Sequence, residues 1–348
     1  MEKIAKKVLG VVPGFAMAAV IAVVARFLEG LLPIHLIGAS VIAMFMGMII
    51  NSFWKPTPMF ASGIKFTSKK VLKFAIILLG AGLNTAIVLN VGKMSLCVMF
   101  FTLLTCFGGG YFIGRALGID WKLSNLISAG TGICGGSAIA AIAPVIDADD
   151  SDVSYAISAT FIFDMAMIVL FPIMGHALGL TDEAYGLWAG TAVNDTSSVV
   201  AAGYAFSEAG GEFAAMVKLT RTLAIIPTVV AFALVNAHVK HKSGVETGES
   251  DGESAMKNVH FTKIIPWFIL GFLALSVLNS IGLIPEALSS SLKNLSKFLM
   301  VCALAAIGLN TSFKDMKKSG IAPMVHGFII SALVVIVAIA VEYFMGLV

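Results

Sequence analysis

Residues 124–146 read SNLISAGTGICGGSAIAAIAPVI, a segment apolar enough to cross a membrane but centred on small residues from Gly130 to Ser137. A glycine in a helix interior costs about 1 kcal/mol relative to alanine. A helix that breaks inside a bilayer leaves backbone N–H and C=O groups that lipid cannot satisfy, so protein, water or a ligand must bind them. Interrupted segments of this kind are typical of transporter binding sites. The sequence therefore predicts a broken helix over 122–146.

A second apolar segment is interrupted by polar side chains. Residues 186–203 read GLWAGTAVNDTSSVVAAG, in which the polar run from Asn194 to Ser198 lies between apolar residues. A carboxylate at the membrane centre costs about 2.5 kcal/mol or more. We therefore predict a second broken helix over 184–206. Either segment could cross the membrane or return as a re-entrant hairpin.

The composition is that of a membrane protein. Hydrophobic residues make up 58% of the 348 residues and charged residues 12%, against about 45–50% and about 25% in soluble domains. The net charge of +3 is small, and the four cysteines lie in apolar segments without metal-ligand or disulfide spacing. We expect an all-α polytopic protein in a lipid bilayer, with no cofactor, no metal and no nucleic-acid partner.

A membrane-spanning helix needs about 20 mostly apolar residues. Lysines cluster near the N-terminus, after the second segment, in a polar linker over 239–260 and after the tenth segment. If the chain crosses the membrane eleven times, all these lysine clusters lie on the same side of it. The positive-inside rule identifies that side as the cytoplasm. The N-terminus is then cytoplasmic, and the acidic loops 147–152 and 207–212 face outward. The eleven predicted segments are 8–27, 34–51, 72–90, 94–116, 122–146, 153–178, 184–206, 213–237, 263–281, 296–312 and 321–346.

Two segments repeat a short sequence. FAIILLGAGLNT (74–85) and MVCALAAIGLNT (300–311) share five of twelve positions, including GLNT. The predicted topology gives them opposite orientations, as in transporters built from inverted repeats. Eleven crossings would make 122–146 and 184–206 run in the same direction, whereas crossed broken helices run in opposite directions. Either one of them is a hairpin or the partner of 122–146 lies elsewhere, for example 296–312.

The glycine run predicts an anion site. Ser137 is a good N-cap for a second half-helix, whose free N–H groups at Gly135, Gly136, Ser137 and Ala138 would face an anion. The alternative is close helix packing through small residues. The predicted substrate-binding residues are Thr131, Gly132, Cys134, Gly135, Gly136, Ser137, Asn194, Thr196, Ser197, Ser198, Lys218 and Arg221.

Two acidic and two basic residues lie deep in apolar segments. Asp195 is a candidate N-cap and, with Asp164, a candidate site for a coupling H⁺ or Na⁺. Lys218 and Arg221 are three residues apart and so share a helix face. A guanidinium binds an oxyanion or carboxylate through two parallel hydrogen bonds. Both cations could equally neutralise the two carboxylates.

These motifs resemble the YeiH family of bacterial inner-membrane proteins, which are classed as sulfate exporters. The resemblance spans almost the whole chain and includes GTGICGGSAIAAIAPVI (130–146), WAGTAVNDTSSVVAAGYA (188–205), VKLTR (217–221) and the second GLNT segment. The family is similar to sodium–bile-acid symporters and sodium–proton antiporters. That similarity implies crossed broken helices and a core (94–237) that moves against a scaffold (1–90 and 263–348), often in a homodimer. The family usually has histidine before the acidic residue and often glutamine after it, where this chain has Asn194 and Ser198.

The function predicted from the sequence is secondary active transport of a small anion, such as sulfate or a related sulfur oxyanion or sulfonate, by alternating access coupled to H⁺ or Na⁺. An organic-anion, carboxylate or bicarbonate transporter would use the same site. An intramembrane aspartyl protease based on Asp164 and Asp195 is a remote alternative, because the glycine-x-glycine-aspartate context is absent. A channel is another alternative. The chain is not expected to be an enzyme, and it has no nucleotide-binding P-loop.

Overall fold

The computed structural model describes residues 10–31, 39–54, 56–242, 267–310 and 320–348. Within these ranges the protein is helical and contains no β-strand. In chain order the helices are α1 (Val12–Leu31), α2 (Ala39–Phe53), α3 (Pro58–Phe66), α4 (Leu72–Gly80), α5 (Thr85–Leu104), α6 (Gly110–Ala116), α7 (Trp121–Ala129), α8 (Gly136–Ile142), α9 (Asp150–Ala177), α10 (Asp182–Ala192), α11 (Thr196–Phe206), α12 (Glu208–Leu223), α13 (Ile225–Lys242), α14 (Trp267–Ser280), α15 (Glu286–Asn310) and α16 (Ile321–Phe344).

Three π-helical turns interrupt the regular hydrogen bonding. Thr67–Val71 joins α3 to α4, and Thr105–Gly109 joins α5 to α6, so each pair forms one continuous rod. The third turn, Gly130–Cys134, follows α7 and leads into a break at Gly135. Such turns occur frequently at functional sites, and only the third lies in a segment that the sequence predicts to be broken.

The protein has several membrane-spanning helices, as the sequence predicts. Two shorter apolar helices, Ile42–Phe53 and Trp267–Ser280, accompany them. Within the described residues, 6 helices are long and apolar enough to cross a bilayer: Val12–Leu31, Thr85–Ala116, Ser151–Ala177, Glu208–Asn236, Glu286–Asn310 and Ile321–Phe344.

One predicted boundary is wrong. The sequence separates segments 72–90 and 94–116, but the chain turns earlier, at 81–84, and a single apolar rod runs from Thr85 to Ala116. The reason is a cap: Asn84 Oδ1 accepts a hydrogen bond from the Ala86 amide at 2.8 Å and begins α5. A side chain that satisfies a free N–H fixes a helix start more firmly than a dip in hydrophobicity does.

Two other predicted boundaries also differ from the helix ends in the structure. α15 begins at Glu286, ten residues before the predicted segment 296–312. α13 continues to Lys242, so the predicted linker 239–260 starts as helix and its remainder lies outside the described residues.

Both broken segments return to the end of the molecule at which they start. In hairpin A, defined as residues 121–147, the Lys122 ammonium donates a hydrogen bond to the Asp147 carbonyl at 2.7 Å. In hairpin B, residues 182–207, the Tyr185 ring stacks on Phe206 with centroids 3.8 Å apart, and the Tyr185 hydroxyl donates to the Ala202 carbonyl at 2.8 Å. Each segment is therefore a re-entrant hairpin, the second of the two possibilities that the sequence leaves open.

The hairpins change the predicted topology. Because α9 runs from the last residues of hairpin A to the first residues of hairpin B, the hairpins enter from opposite ends of the molecule. The acidic loop 147–152 consequently lies at the same end as Lys122, not opposite the lysine clusters as the sequence predicts, and the count of eleven crossings is not confirmed. The six described helices long and apolar enough to cross a bilayer lie in α1, α5–α6, α9, α12–α13, α15 and α16.

A first helix group consists of α1–α4, α14 and α15. Its backbones touch through glycine: a Cβ built on Gly308 of α15 would lie 2.0 Å from the Met44 carbonyl oxygen of α2. The Ser296 hydroxyl of α15 donates to the Ala75 carbonyl of α4 at 2.6 Å. The two GLNT-containing segments, 74–85 and 300–311, thus belong to helices that pack against each other, although Thr311 lies outside the described residues.

A second helix group consists of α5–α13 and α16. Hairpin B packs along α12, where a Cβ on Gly190 would lie 2.7 Å from the Val217 side chain. α16 lies in the predicted scaffold range, but it packs against α5, α9 and α10 of this second group. The division of the chain into a moving core and a scaffold stays a prediction, as does the cytoplasmic position of the N-terminus.

Candidate functional site

Hairpin A turns at a position that only glycine adopts readily. Gly135 has φ 64° and ψ −136°, and its amide donates to the Gly130 carbonyl at 2.8 Å. Gly135 is the N-cap of α8, so the predicted N-cap role of Ser137 is wrong. The Ser137 hydroxyl donates instead to the Cys134 carbonyl at 3.0 Å, at the end of the π-helical turn. We call residues 130–136 tip A.

Hairpin B turns at a side-chain cap. Val193 and Asp195 have extended backbones, and Asp195 Oδ2 accepts hydrogen bonds from the Ser197 amide at 2.9 Å and from the Ser197 hydroxyl. Asp195 is therefore the N-cap of α11, as the sequence predicts. The same carboxylate both starts the half-helix and places a charge at the break. We call residues 192–196 tip B.

The two tips meet inside the protein. A Cβ built on Gly135 would lie 3.0 Å from both Cβ and Oδ1 of Asp195. The partner of hairpin A is thus 184–206 and not 296–312, the candidate named from the sequence. Since the hairpins enter from opposite ends, their breaks are placed back to back, with the N-terminal ends of α8 and α11 at the contact.

Asp164 of α9 binds the backbone of tip B. Its side chain is 1% exposed, Oδ1 accepts from the Asn194 amide at 2.9 Å, and Oδ2 accepts from the Asp195 amide at 2.8 Å. A carboxylate is stabilised at the positive N-terminal end of a helix. The burial predicted for Asp164 is observed, and two N–H groups that lipid would leave unpaired have a charged acceptor.

Arg221 of α12 links the two tips through their carbonyl groups. Its Nε donates to the Gly132 carbonyl at 2.6 Å, Nη2 donates to the Thr131 carbonyl at 2.5 Å, and Nη1 donates to the Val193 carbonyl of tip B at 3.3 Å. One planar guanidinium thus joins hairpin A to hairpin B, a geometry that the single ammonium of lysine cannot reproduce.

Lys218 lies one helical turn before Arg221 and also binds tip B. Its ammonium donates to the Val193 carbonyl at 2.9 Å, and the side chain is 0% exposed. Both cations, predicted as substrate ligands, thus have backbone carbonyls as their protein partners. The Val193 carbonyl accepts from both cations.

The charges match the polarity of the helix ends. Two carboxylates, Asp164 and Asp195, lie at the N-terminal side of α11, while Lys218 and Arg221 bind carbonyls at the C-terminal sides of α7 and α10. Each sign is stabilised by the dipole end that it faces. With all four groups ionised the site has no net charge, which lowers the cost of burying it.

The predicted substrate residues divide into a buried set and an accessible set. Thr131, Gly132, Cys134, Gly135, Asn194, Ser198, Lys218 and Arg221 are buried, whereas Gly136, Ser137, Thr196 and Ser197 are partly or fully exposed, as is the predicted coupling residue Asp195. Among the described residues, nothing accepts from the amides of Gly136 and Ser137. The accessible set forms a polar surface on the tips where a ligand can reach the backbone.

Two buried oxygen atoms at the tips lack a hydrogen-bond partner in the described part of the chain. They are Thr131 Oγ1 of tip A and Asn194 Oδ1 of tip B. By contrast, the side-chain nitrogen Nδ2 of Asn194 has partners: it donates to the Thr160 carbonyl at 3.4 Å and to Ser331 Oγ at 3.3 Å. Oxygen atoms without a partner are the kind of ligand that a hard cation binds. The described residues contain no cluster of His, Cys, Asp and Glu that could hold a metal.

Lys73 is a residue of this site that the sequence interpretation missed. From the sequence, Lys73 is expected to belong to the cytoplasmic lysine cluster that follows the second predicted segment. In the structure Lys73 lies on α4 of the first helix group, with its ammonium 5.3 Å from the centroid of the Phe268 ring. It is close enough to Asp195 of tip B for the two opposite charges to attract each other. The available signal was its position inside the predicted segment 72–90.

Comparisons with known proteins agree along the length of the chain. The model of a protein family described as "Conserved hypothetical protein 698" matches residues 13–327. A UPF0324 membrane protein of Clostridium tetani is 55% identical over 334 residues, which is 96% of this chain and 97% of the relative. Similar proteins with the same description occur in Streptococcus pyogenes serotype M6 (40% identical over 339 residues, 96% and 97% of the two chains) and in Fusobacterium nucleatum (37% over 332 residues, 90% and 92%).

Proposed function

The chain belongs to the UPF0324 family of membrane proteins, the family that its motifs resemble under the name YeiH, and we propose that it is a secondary active transporter of a small anion. The supporting observation is the contact between two re-entrant hairpin tips that enter from opposite ends. Irregular backbone at membrane depth is tolerated only when it is buried in protein or lines a cavity. An arrangement related by inversion suits alternating access, because either end can open toward the same central site.

The preference for an anion comes from the donors at the tips. The unpaired amides of Gly136 and Ser137 and the hydroxyl of Thr196 are accessible. Two helix N-termini converge there, and each carries a partial positive charge. Lys73 adds a full positive charge from the opposite helix group. A sulfate, sulfonate or carboxylate group would satisfy these donors.

Coupling would come from Asp195. Its carboxylate lies at the tips, next to the position proposed for the anion. Two like charges about 4 Å apart repel by about 4 kcal/mol at an effective dielectric constant of 20. A proton on Asp195, or a Na⁺ ion beside it, removes that repulsion and makes anion and cation binding mutually favourable. The unpartnered oxygens of Thr131 and Asn194 favour Na⁺ over H⁺.

The same contacts argue against the protease alternative. Both oxygens of Asp164 accept from backbone amides, and Asp195 accepts from Ser197. A proteolytic pair needs two carboxylates that share a proton with each other. Here each carboxylate has a capping role, which fits a site that binds and releases a ligand.

The decisive experiment is anion uptake into proteoliposomes that contain the purified protein. We expect labelled sulfate, or a competing sulfite, thiosulfate, taurine, bicarbonate or small carboxylate, to accumulate when an inward Na⁺ or proton gradient is imposed. Asp195→Asn should still bind the anion but lose its dependence on the gradient. Voltage-driven current without dependence on a second ion would indicate a channel and refute the proposal. A homodimer in a bacterial inner membrane, expected from the resemblance, is part of the same proposal.

A further inference from the structure

A carboxyl group is buried in the last turn of α16, away from the hairpin tips. Glu342 is 0% exposed, and neither of its side-chain oxygens has a hydrogen-bond partner within the described residues. The helix meets tip B at Ser331, whose hydroxyl oxygen accepts from Asn194. At a rise of about 1.5 Å per residue, Glu342 lies about 16 Å further along the helix. Glu342 is therefore separate from the proposed anion site and from Asp195.

No charge in the described part of the chain balances this carboxyl group. α16 packs against α5, α9 and α10. The titratable residues that these helices carry toward the Glu342 end are Lys93 and Cys97 of α5, His176 of α9, Asp182, Glu183 and Tyr185 of α10, and Tyr343 of α16 itself. All but Tyr185 are exposed, and none of them bonds to Glu342 or acts on its charge.

Two features of the position favour the neutral form of Glu342. An ionised carboxylate that is buried without a partner costs far more free energy than a neutral carboxyl group, so a group in that position takes up a proton. Glu342 also lies two residues before the end of α16 at Phe344. The C-terminal end of a helix carries a partial negative charge, which repels an anion. A proton needs no other ligand, whereas a metal ion would need several oxygen atoms around it.

The last turn of α16 lies at the end of the molecule from which hairpin B enters. Near the first turn of the helix, His326 Nε2 lies 3.5 Å from the Ser124 hydroxyl of hairpin A. Further along, the Val335 carbonyl accepts a hydrogen bond from Trp188 Nε1 of hairpin B at 2.9 Å. α16 is thus bonded to hairpin B on the side of the tips where Glu342 lies.

We propose that Glu342 is a proton-binding site, which holds a proton while the end of α16 is packed against its neighbours and releases it to water when that end opens. Proton release and opening at the hairpin B end then favour each other, because the two equilibria are linked. The site goes beyond anion transport and does not depend on it.

The first test is labelling of the unaltered full-length protein, in lipid vesicles, with dicyclohexylcarbodiimide, followed by mass spectrometry. This apolar reagent reacts with protonated carboxyl groups. Glu183 is the internal control, because it is exposed on the neighbouring helix α10. An exposed glutamate ionises near pH 4.3, so at about pH 8 Glu342 should react at least about tenfold faster than Glu183. No labelling of Glu342, or equal labelling of the two glutamates, would refute the site.

Hydrogen exchange measured by mass spectrometry tests the link to opening. Glu342→Gln keeps the size of the protonated side chain but has no proton to release. Releasing one proton on opening raises the open population by up to about tenfold per pH unit. Between about pH 6 and about pH 9, exchange in the last turns of α16 should therefore accelerate at least about tenfold more in the unaltered protein than in Glu342→Gln. Residues 321–330 of the same helix should exchange alike in both proteins.

Glu183→Gln is the matched control variant, since it removes an exposed carboxyl group and should exchange like the unaltered protein at every pH. If the exchange rates of the unaltered protein and Glu342→Gln keep a constant ratio as the pH rises, opening is not linked to this proton and the proposal is wrong. The labelling test needs no variant, so it decides the site even if Glu342→Gln does not fold. Both measurements are made without a transported anion or a Na⁺ gradient, so their failure leaves transport at the tips unaffected.

Discussion

Two adjacent glycines at tip A are constrained differently. Gly135 needs its positive φ and lies against Asp195, whereas a Cβ on Gly136 would meet nothing closer than Ile157 Cγ1 at 3.8 Å. Gly135→Ala should therefore destabilise the protein by about 1–3 kcal/mol. Gly136→Val should change stability by less than about 1 kcal/mol but should block the anion from the amides. Melting temperature and sulfate affinity, measured on the same purified variants, test both. Normal affinity in folded Gly136→Val would exclude the anion site at this tip.

Arg221 and Lys218 differ in what their loss leaves unpaired. After Lys218→Gln the Val193 carbonyl keeps its bond from Arg221, but after Arg221→Gln the carbonyls of Thr131 and Gly132 lose theirs. Each unpaired buried carbonyl costs about 1–3 kcal/mol. We expect Arg221→Gln to lower the free energy of unfolding by at least about 2 kcal/mol more than Lys218→Gln does. Arg221→Lys should not restore it, because one ammonium lacks the planar fork. Equal denaturation midpoints for the two glutamine variants would contradict this account.

At the scale of the elements, the sequence located the breaks but not the path of the chain through them. The glycine run and the polar run are local signals, and both coincide with the tips. Whether a broken segment crosses or returns depends on distant pairs such as Lys122 with Asp147 and Tyr185 with Phe206, which hydrophobicity does not encode. For the same reason the sequence does not place Lys73 near the tips, because the residue that it faces there comes from a distant part of the chain.

The hairpins make a prediction about sidedness. If 121–147 and 182–207 both return, the loop before α9 and the loop before α12 lie at opposite ends of the molecule. Asp149→Cys and Glu208→Cys should then react with a membrane-impermeant maleimide from opposite sides of the membrane. The protein without either substitution is the control, because it shows how much maleimide reacts with Cys97, the exposed native cysteine. Labelling of both positions from the same side would restore the topology of eleven crossings.

At the scale of the whole molecule, ion pairs connect the two helix groups. Lys293 of α15 binds Glu212 of α12 at 2.7 Å, and Lys297 binds Glu208 at 2.7 Å. These pairs lie at the end of the molecule from which hairpin B enters. Alternating access requires the groups to shift, so contacts that join them set the balance between conformations. An exposed pair contributes about 1 kcal/mol or less, enough to shift a balance without affecting the fold.

Exchanging the charges of the Lys293–Glu212 ion pair tests whether the two helix groups separate at that pair. Glu212→Lys places like charges opposite Lys293 and should favour the separated state, so Ser137→Cys at the tips should react faster with a thiol reagent added at that end. The double variant Lys293→Glu with Glu212→Lys restores one pair and should bring the rate most of the way back. Glu183→Lys makes the same change at an exposed position of α10 without an ion-pair partner in the described chain, and it should leave the rate unchanged. If the double variant reacts as fast as Glu212→Lys alone, the effect is one of charge and not of pairing, and this contact does not control access to the tips.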